Sequence, residues 1–283
     1  MAASPLAADA SAAHAPHLKA MRKLLERCQP RHDIYTVFGH CMEAMAIAIA
    51  IANSVDLRER ARREARYFDI IGRYGADVVE SFPRVMAELA MALETGMGDV
   101  LGQLFHDLEL HNKAKGQFFT PYSLSRAMAD MLIGDTATLR ETIETRGHLT
   151  AMEPACGSGS MVIALTDVLR SQGINYQRRL HVTAIDIDPR AVHMAYAQLS
   201  LLHVPARLIV GNALSGEIRE QLFTPVHILG GWTARLASAP EGKTPIDMIP
   251  LVDAASTVCS RRETTRAPDC NKPAPIPRQL SLF

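Results

Sequence analysis

A tight turn with two glycines, Met152–Ser160, constrains the fold of this chain more than any other stretch. It reads Met-Glu-Pro-Ala-Cys-Gly-Ser-Gly-Ser, between a predicted strand at His148–Met152 and a predicted helix at Met161–Arg170. Gly157 and Gly159 have no Cβ, so the backbone can turn sharply and a ligand can lie close to it. The N-terminus of the following helix favours a negatively charged ligand group. This pattern is typical of a ligand-binding corner in an α/β sheet.

Two interpretations of this turn stay open from its residues alone, an ordinary connection between a strand and a helix or a nucleotide-type site. Because Met161 and Val162 follow Ser160, the turn lacks the third glycine of the dinucleotide-binding motif, which disfavours a nicotinamide or flavin dinucleotide. Glu153 places a carboxylate at the carboxyl end of the strand, where open α/β sheets bind ligands. That carboxylate could face a cationic ligand group.

An acidic residue follows the second predicted strand, Leu180–Ile185. A carboxylate at this position, Asp186, is the usual partner of ribose hydroxyls because it accepts two hydrogen bonds. Asp188 predicts an N-cap for the next helix, with Pro189 at its first position. A third strand is predicted at Arg207–Val210.

Composition and charge exclude several classes of protein. The 283 residues hold 30 basic and 30 acidic side chains, which gives no global basic footprint for nucleic acid. The five cysteines are odd in number and form no Cys-x-x-Cys, which disfavours a disulfide framework or a zinc site. The longest apolar run near the N-terminus, Ala44–Ala52, is shorter than the ~20 residues of a membrane span. We expect a soluble, cytoplasmic protein with no secretory signal and no metal.

The chain before residue 113 is predicted to be a helical region, residues 17–112, after a flexible tail at residues 1–16. At Ala46–Ala52 isoleucine and alanine alternate, which is compatible with a strand, but the alanine content favours helix. The charged helix at Leu57–Tyr74 interleaves Arg58, Arg60, Arg62, Arg63 and Arg66 with glutamates, which predicts a salt-bridged solvent face in preference to contacts with DNA phosphates. Asp33 is predicted to be the N-cap of a helix that runs to about Ser54. The other predicted helices are Leu18–Cys28, Leu57–Tyr74, Phe82–Glu94 and Gly98–Leu110.

A second informative stretch, Gly116–Pro121, reads Gly-Gln-Phe-Phe-Thr-Pro. By spacing alone, Thr120 predicts an N-cap for a helix that begins with Pro121, after two core phenylalanines. The segment is, however, similar to one that precedes the sheet in adenine-N6 DNA methyltransferases, especially the modification subunits of type I restriction systems. The Met152–Ser160 turn resembles the Asp-Pro-Ala-Cys-Gly-Ser-Gly turn of the same family, and the two motifs occur in the family's order.

This resemblance implies an α/β fold with a short doubly wound, mainly parallel sheet of the S-adenosylmethionine-dependent methyltransferase type, preceded by a helical region. It implies S-adenosylmethionine as the cofactor, with Glu153 near the methionine ammonium group. Asn212 corresponds to a family position that contacts the adenine of the cofactor, although a turn role after the third strand is equally compatible. The residues predicted to bind the cofactor are Gly116, Gln117, Phe118, Phe119, Thr120, Pro121, Glu153, Pro154, Ala155, Gly157, Ser158, Gly159, Asp186 and Asn212.

The sequence departs from the family at the residues that hold the target base. Methylation of an exocyclic amine needs a hydrogen-bond acceptor and a side chain that stacks on the base. The family supplies both in the motif (Asp/Asn)-Pro-Pro-(Tyr/Phe). This chain contains no Pro-Pro. Val226–Trp232 falls near the expected place, either as a short strand or as a helix capped by Thr224; we favour the helix. Leu229 occupies the acceptor position and cannot accept a hydrogen bond. His227 and Trp232 are weak catalytic candidates, and packing roles explain both.

The leading hypothesis is an adenine-N6 DNA methyltransferase with its cofactor domain at residues 113–237, acting on DNA with a partner subunit that supplies specificity, and with no membrane contact. The alternative is a catalytically inactive cofactor-binding subunit or regulator; a methyltransferase for a small molecule or a protein is a third hypothesis. Residues 238–283 are rich in Pro, Ser, Thr and Arg, which predicts a disordered tail.

Overall fold

The first described part of the chain is helical. A computed structural model describes residues 5–29, 31–54, 56–110, 120–134, 136–238 and 248–250. Before Thr120, the described residues form helices at Pro5–Glu26 (α1), Ile34–Ala52 (α2), Leu57–Ile71 (α3), Ala76–Thr95 (α4) and Val100–Asp107 (α5). The helical region predicted from the sequence is therefore present as five helices in these ranges.

Helix α1 corrects the tail expected at residues 1–16, because the described chain is helical from Pro5. Alanine, which is frequent in this stretch, has the highest helix propensity. Two contacts hold α1 on α4: a ring nitrogen of His14 lies 3.1 Å from the carbonyl oxygen of Gly96, and Nδ1 of His17 lies 2.8 Å from a carboxylate oxygen of Glu88.

Helix α2 is capped as the sequence predicts. The Asp33 carboxylate accepts the Thr36 N–H at 2.9 Å, and Ala46–Ala52 is helical, so the strand alternative is wrong there. By length and composition alone α2 could cross a membrane. Its buried residues instead pack against α3, α4 and a later helix at Pro189–Leu201, which is the pattern of a core helix.

The sheet confirms the predicted α/β class. Its described strands are β1 (Leu149–Glu153), β2 (Leu180–Asp186), β3 (Ala206–Asn212), β4 (Glu217–Phe223) and β5 (Met248–Pro250), in the order β4-β3-β2-β1-β5. All neighbours pair in parallel except β4, which is antiparallel to β3. From β1 the chain proceeds to β2 and β3 on one side, while β5 lies on the other. The strand order therefore reverses at β1, which is where open α/β sheets bind ligands.

Two strands differ from the prediction. The polar hairpin strand β4 was not predicted, since only one of its side chains, Leu222, is buried and its pattern carries little hydrophobic signal. Strand β5 falls within the predicted disordered tail, residues 238–283, and corrects that prediction at Met248–Pro250. The rest of that tail lies outside the described residues.

Seven further helices surround the sheet in the described residues after Thr120. They are α6 (Tyr122–Ile133), α7 (Thr136–Arg146), α8 (Ser160–Ser171), α9 (Tyr176–Arg179), α10 (Pro189–Leu201), α11 (Pro225–Leu229) and α12 (Trp232–Ala237). The helical interpretation of Val226–Trp232 is thus confirmed for α11. Asp188 caps α10 and Pro189 begins it, as predicted. Helix α6 is preceded by Pro121 in the N-cap position, which corrects the cap predicted at Thr120.

The two faces of the sheet carry different helices. Val182 and Ala184 of β2 belong to the main core, which continues through α8 and α10 into the N-terminal helices. Side chains alternate between faces along a strand, so His181 points to the opposite face. There it contacts His227 of α11 and Trp232 of α12. Helices therefore cover both faces, as a doubly wound sheet requires.

A buried polar cluster joins the helical region to the glycine turn. Asp99 caps α5 by accepting the Gly102 N–H at 2.9 Å, and the same carboxylate accepts the hydroxyl of Ser158 in the turn. The amide of Gln198 in α10 donates to Asp99 and to the Ser158 carbonyl oxygen, each at 2.9 Å. Its Oε1 accepts the Leu101 N–H at 3.0 Å. Burial raises the pKa of the Asp99 carboxyl, and the hydrogen bonds it accepts oppose that shift.

We expect Asp99→Ala to lower the free energy of unfolding by about 3 kcal/mol, because it leaves the buried Ser158 hydroxyl and one N–H of the Gln198 amide without an acceptor. Asp56→Ala is the matched control. Asp56 also caps a helix, accepting the Arg58 N–H at 2.9 Å, but it is exposed. Its loss should cost about 1 kcal/mol. Urea unfolding measures both values, and equal losses would contradict a special role for the cluster.

Candidate functional site

The glycine turn connects β1 to α8 through residues 154–159, and both glycines need the conformation that only glycine adopts easily. Gly157 has φ +52° and Gly159 has φ +95°, both in the left-handed region. A Cβ added at Gly159 would lie 3.3 Å from the Cβ of Ala195 in α10. The glycines therefore allow the sharp turn and let the start of α8 approach α10 closely.

The structure brings the glycine turn and Asp186 into direct contact. The Gly157 N–H donates to one carboxylate oxygen of Asp186 at 2.8 Å, and the Asp188 N–H donates to the other at 2.9 Å. The Cys156 N–H donates to the Ile185 carbonyl oxygen at 2.8 Å. Burial raises the pKa of the Asp186 carboxyl, and the backbone hydrogen bonds partly offset the rise. The Ile187 N–H also interacts with this carboxylate, which still has capacity to accept a further hydrogen bond.

Glu153 lies at the end of β1, at the same carboxyl edge of the sheet as Asp186. Its side chain is buried, with 4% exposed, and Oε1 accepts the Ala155 N–H across Pro154 at 3.1 Å. Two carboxylates at one edge, at the ends of adjacent parallel strands, give the site negative charge. Such an edge suits a ligand that carries a cationic group and hydroxyls.

The start of α6 lies beside the start of α8. The Ser160 hydroxyl donates to the Thr120 carbonyl oxygen at 3.4 Å and lies 2.9 Å from the Ser125 hydroxyl. Thr120 and Pro121 are thus next to the glycine turn, as their predicted role requires. The other residues of that segment, Gly116, Gln117, Phe118 and Phe119, lie outside the described residues.

Asn212 ends β3 and takes part in a turn. Its Oδ1 accepts the N–H of Leu214 at 2.9 Å and of Ser215 at 3.3 Å. The turn role left open from the sequence is therefore present. Contact with a bound adenine stays a prediction, for which the side-chain NH₂ is the remaining donor.

The weak catalytic candidates His227 and Trp232 lie at the other edge of the sheet. His227 Nδ1 is 2.9 Å from His181 Nε2, and His181 is the second residue of β2, five positions before Asp186. At ~3.3 Å per residue this separates them from the Asp186 end of the strand by about 17 Å. His227 is 4% exposed and Trp232 is fully buried. The structure therefore corrects this assignment: both are packing residues, because neither reaches the edge where the glycine turn lies.

Two features of the site were not predicted from the sequence. Ile187, between Asp186 and Asp188, has 63% of its surface exposed and offers an apolar contact at the same edge. Its signal was the acidic-hydrophobic-Asp-Pro pattern. The Asp99 cluster positions Ser158, but its members are up to 99 residues apart in the sequence and no local pattern joins them.

Comparisons with known proteins agree with this site. Residues 94–220 match the profile of the N-6 DNA Methylase family, a range that contains the glycine turn, Asp186 and Asn212. The methylase subunit of the type I restriction enzyme MjaIX from Methanocaldococcus jannaschii is 26% identical over 118 residues, which are 40% of this chain and 19% of that protein. This chain therefore corresponds to about a fifth of that relative's length.

Two solved structures are similar. One is a class I S-adenosylmethionine-dependent methyltransferase from Listeria monocytogenes, with 14% identity and a TM-score of 0.42 over 74% of this chain and 56% of that one. The other is a type I restriction-modification system methyltransferase subunit from Streptococcus thermophilus, with 11% identity and a TM-score of 0.32 over 69% and 57%. The profile match and the curated relative confirm the predicted resemblance: residues 94–220 of this chain are similar to the N-6 DNA methylase family.

Proposed function

We propose that this chain binds S-adenosylmethionine at the carboxyl edge of β1 and β2 and serves the methylation of adenine N6 in DNA. The observation that carries the proposal is the 2.8 Å hydrogen bond from the Gly157 N–H to Asp186, at the point where the strand order reverses. It joins the glycine turn to the carboxylate that was predicted to bind the ribose hydroxyls. The proposal includes a cytoplasmic location and a domain division into helical residues 17–112 and cofactor-binding residues 113–237.

The residues present fit this cofactor. Asp186 has remaining acceptor capacity for a ribose diol, and Glu153 supplies a negative charge for the methionine ammonium group. Gly157 and Gly159 keep the turn bare, so a ligand can lie against the backbone. Ile187 offers an apolar surface beside Asp186 for the flat face of a purine. Thr120 and Pro121 would close the site from the side of α6.

When bound, the cofactor supplies a methyl group on a positively charged sulfur, which a nucleophile attacks in line. The residues of this chain orient that group: Asp186 fixes the ribose end and Glu153 fixes the amino-acid end, so the methyl direction is set by two anchors. Both anchors belong to strands of one sheet, which holds their spacing constant. The chain therefore contributes positioning to the transfer.

The acceptor half of the reaction is not assigned to a residue of this chain. The sequence holds no (Asp/Asn)-Pro-Pro-(Tyr/Phe), and His227 and Trp232 lie at the other edge of the sheet. We propose that the flipped adenine is held by a segment outside the described residues or by a partner subunit, which also supplies sequence specificity. The alternative, a catalytically inactive cofactor-binding regulator, is not favoured by the family match.

The Gly157→Val substitution should abolish cofactor binding, because a β-branched residue at φ +52° strains the turn and its side chain occupies the ligand's place. Gly173→Val is the matched control, since Gly173 has φ +73° at the far end of α8. It carries the same backbone strain away from the site. Calorimetric titration with S-adenosylmethionine measures both variants, and unchanged affinity in Gly157→Val would refute the pocket.

Cofactor affinity should fall on acidification. Asp186 accepts two ribose hydroxyls best when ionised, and burial holds its pKa above the ordinary value of 3.8. Protonation therefore begins at a higher pH than for an exposed aspartate, and affinity declines as the pH falls through the raised pKa. Titrations from about pH 7 to about pH 4 should show this decline. Asp186→Asn should bind weakly at neutral pH and lose this part of the pH dependence; an equal pH dependence in both proteins would exclude Asp186 as its source.

Methyl transfer tests the function itself. Purified full-length chain, labelled S-adenosylmethionine and adenine-containing DNA should yield labelled N6-methyladenine, alone or after addition of a partner subunit. Asp186→Ala should remove the label while thermal unfolding stays cooperative. Cofactor binding with no transfer under either condition would favour the regulator, and transfer to a metabolite alone would favour the third hypothesis.

A further inference from the structure

A basic hollow lies at the edge of the sheet opposite the cofactor site. It has a volume of about 720 Å³ and is lined by residues of α9, α11 and α12 and by His203, with no Asp or Glu among the described lining residues. Three arginines surround it: Arg178 and Arg179, which precede β2, and Arg235 of α12. In a chain with equal numbers of basic and acidic residues, this is a local concentration of positive charge.

Two of the three guanidinium groups, those of Arg179 and Arg235, are held by neutral partners. Arg235 stacks on the Trp232 ring, with its central carbon 3.7 Å from the ring centroid, and donates to the Arg178 carbonyl oxygen at 2.9 Å. Arg179 donates to the Gly147 carbonyl oxygen at 2.9 Å. Within the described part of the chain, none of the three forms an ion pair with a carboxylate. Arg235 is half-buried, and burial lowers the pKa of its guanidinium group. The positive charge of Arg179 lowers that pKa further.

The arginines of α3 provide the contrast. Arg60 pairs with Glu64 at 3.0 Å, and Arg62 and Arg63 both pair with Glu59 at 2.7 Å. Those charges are neutralised within the molecule, which agrees with the salt-bridged face predicted from the sequence. The three arginines around the hollow have no such carboxylate partners among the described residues. An external anion would therefore be attracted to all three guanidinium groups and would reduce the repulsion between them.

The hollow is separate from the cofactor site. Arg179 immediately precedes β2, whereas Asp186 ends that strand, and seven residues at ~3.3 Å span about 23 Å. A small nucleotide bound at one edge cannot reach the other. A polymer with repeated phosphates can, and exposed arginines without carboxylate partners are the usual contacts of such a backbone.

We infer that this hollow binds phosphate groups of a nucleic-acid backbone. The inference rests on the proposed function only in choosing DNA as the source of those phosphates. Arg178 and Arg179, both exposed, contact the phosphates directly, and Arg235 is held in place by Trp232 to present its guanidinium edge to the same backbone.

The test compares two double variants of the full chain by fluorescence anisotropy with a labelled duplex, in the absence of cofactor. Arg178→Gln with Arg179→Gln removes two charges from the hollow, and Arg60→Gln with Arg62→Gln removes two from the paired face of α3. We expect the first to weaken binding about 10-fold at ~0.1 M salt and to reduce the slope of log affinity against log salt by about 2. The second should change neither, and thermal unfolding should show that both variants fold.

Equal losses in the two variants would overturn the inference, because binding would then follow net charge alone. Unchanged DNA affinity in the Arg178 and Arg179 variant, with lost binding of inorganic phosphate in equilibrium dialysis, would overturn it in favour of a small phosphate ligand. Loss of polyglutamate peptide binding, with DNA affinity unchanged, would overturn it in favour of an acidic protein partner. Titration of the same variant with S-adenosylmethionine should match wild type, so a failure of the proposed cofactor site is detected separately.

Discussion

The hydrogen bond between the Gly157 N–H and the Asp186 carboxylate is the contact on which the site depends. It can form only because Gly157 turns into the left-handed region and because β1 and β2 are parallel neighbours whose carboxyl ends coincide. The bond fixes the distance between the turn and the acid before any ligand arrives. Binding of a ligand that contacts both then costs less conformational entropy than binding to a mobile turn, because the turn is already ordered.

The helical region is part of this arrangement. The Asp99 carboxylate belongs to α5, yet it holds the Ser158 hydroxyl of the turn and the Gln198 amide of α10. The apolar core is continuous from α2 through α10 to β2. A cluster of buried polar groups within such a core specifies one relative position of the elements, because each group must find its partner. The turn is therefore positioned from both the sheet and the helices.

The sequence predicted the parts of the fold that rest on local chemistry. The glycine turn, Asp186 at the end of β2 and the Asp188 cap each follow from backbone conformation or from hydrogen bonds between near neighbours. The prediction failed where long-range packing decides: α1 replaces the expected tail because His14 and His17 anchor it on α4. Strand β4 was not predicted because an edge strand needs few buried side chains and so carries little hydrophobic pattern. The Asp99 cluster could not be predicted, since its partners are brought together only by the folded chain.

The polar strand β4 has a consequence for how the sheet meets other chains. Glu217, Ile218 and Arg219 are exposed along this border, and charged side chains there discourage backbone pairing with a neighbouring molecule, which protects against aggregation. On the opposite border the described sheet ends with the short strand β5, beside β1. Of the two borders of the described sheet, the β4 border is therefore the less suited to pairing with a strand of another polypeptide.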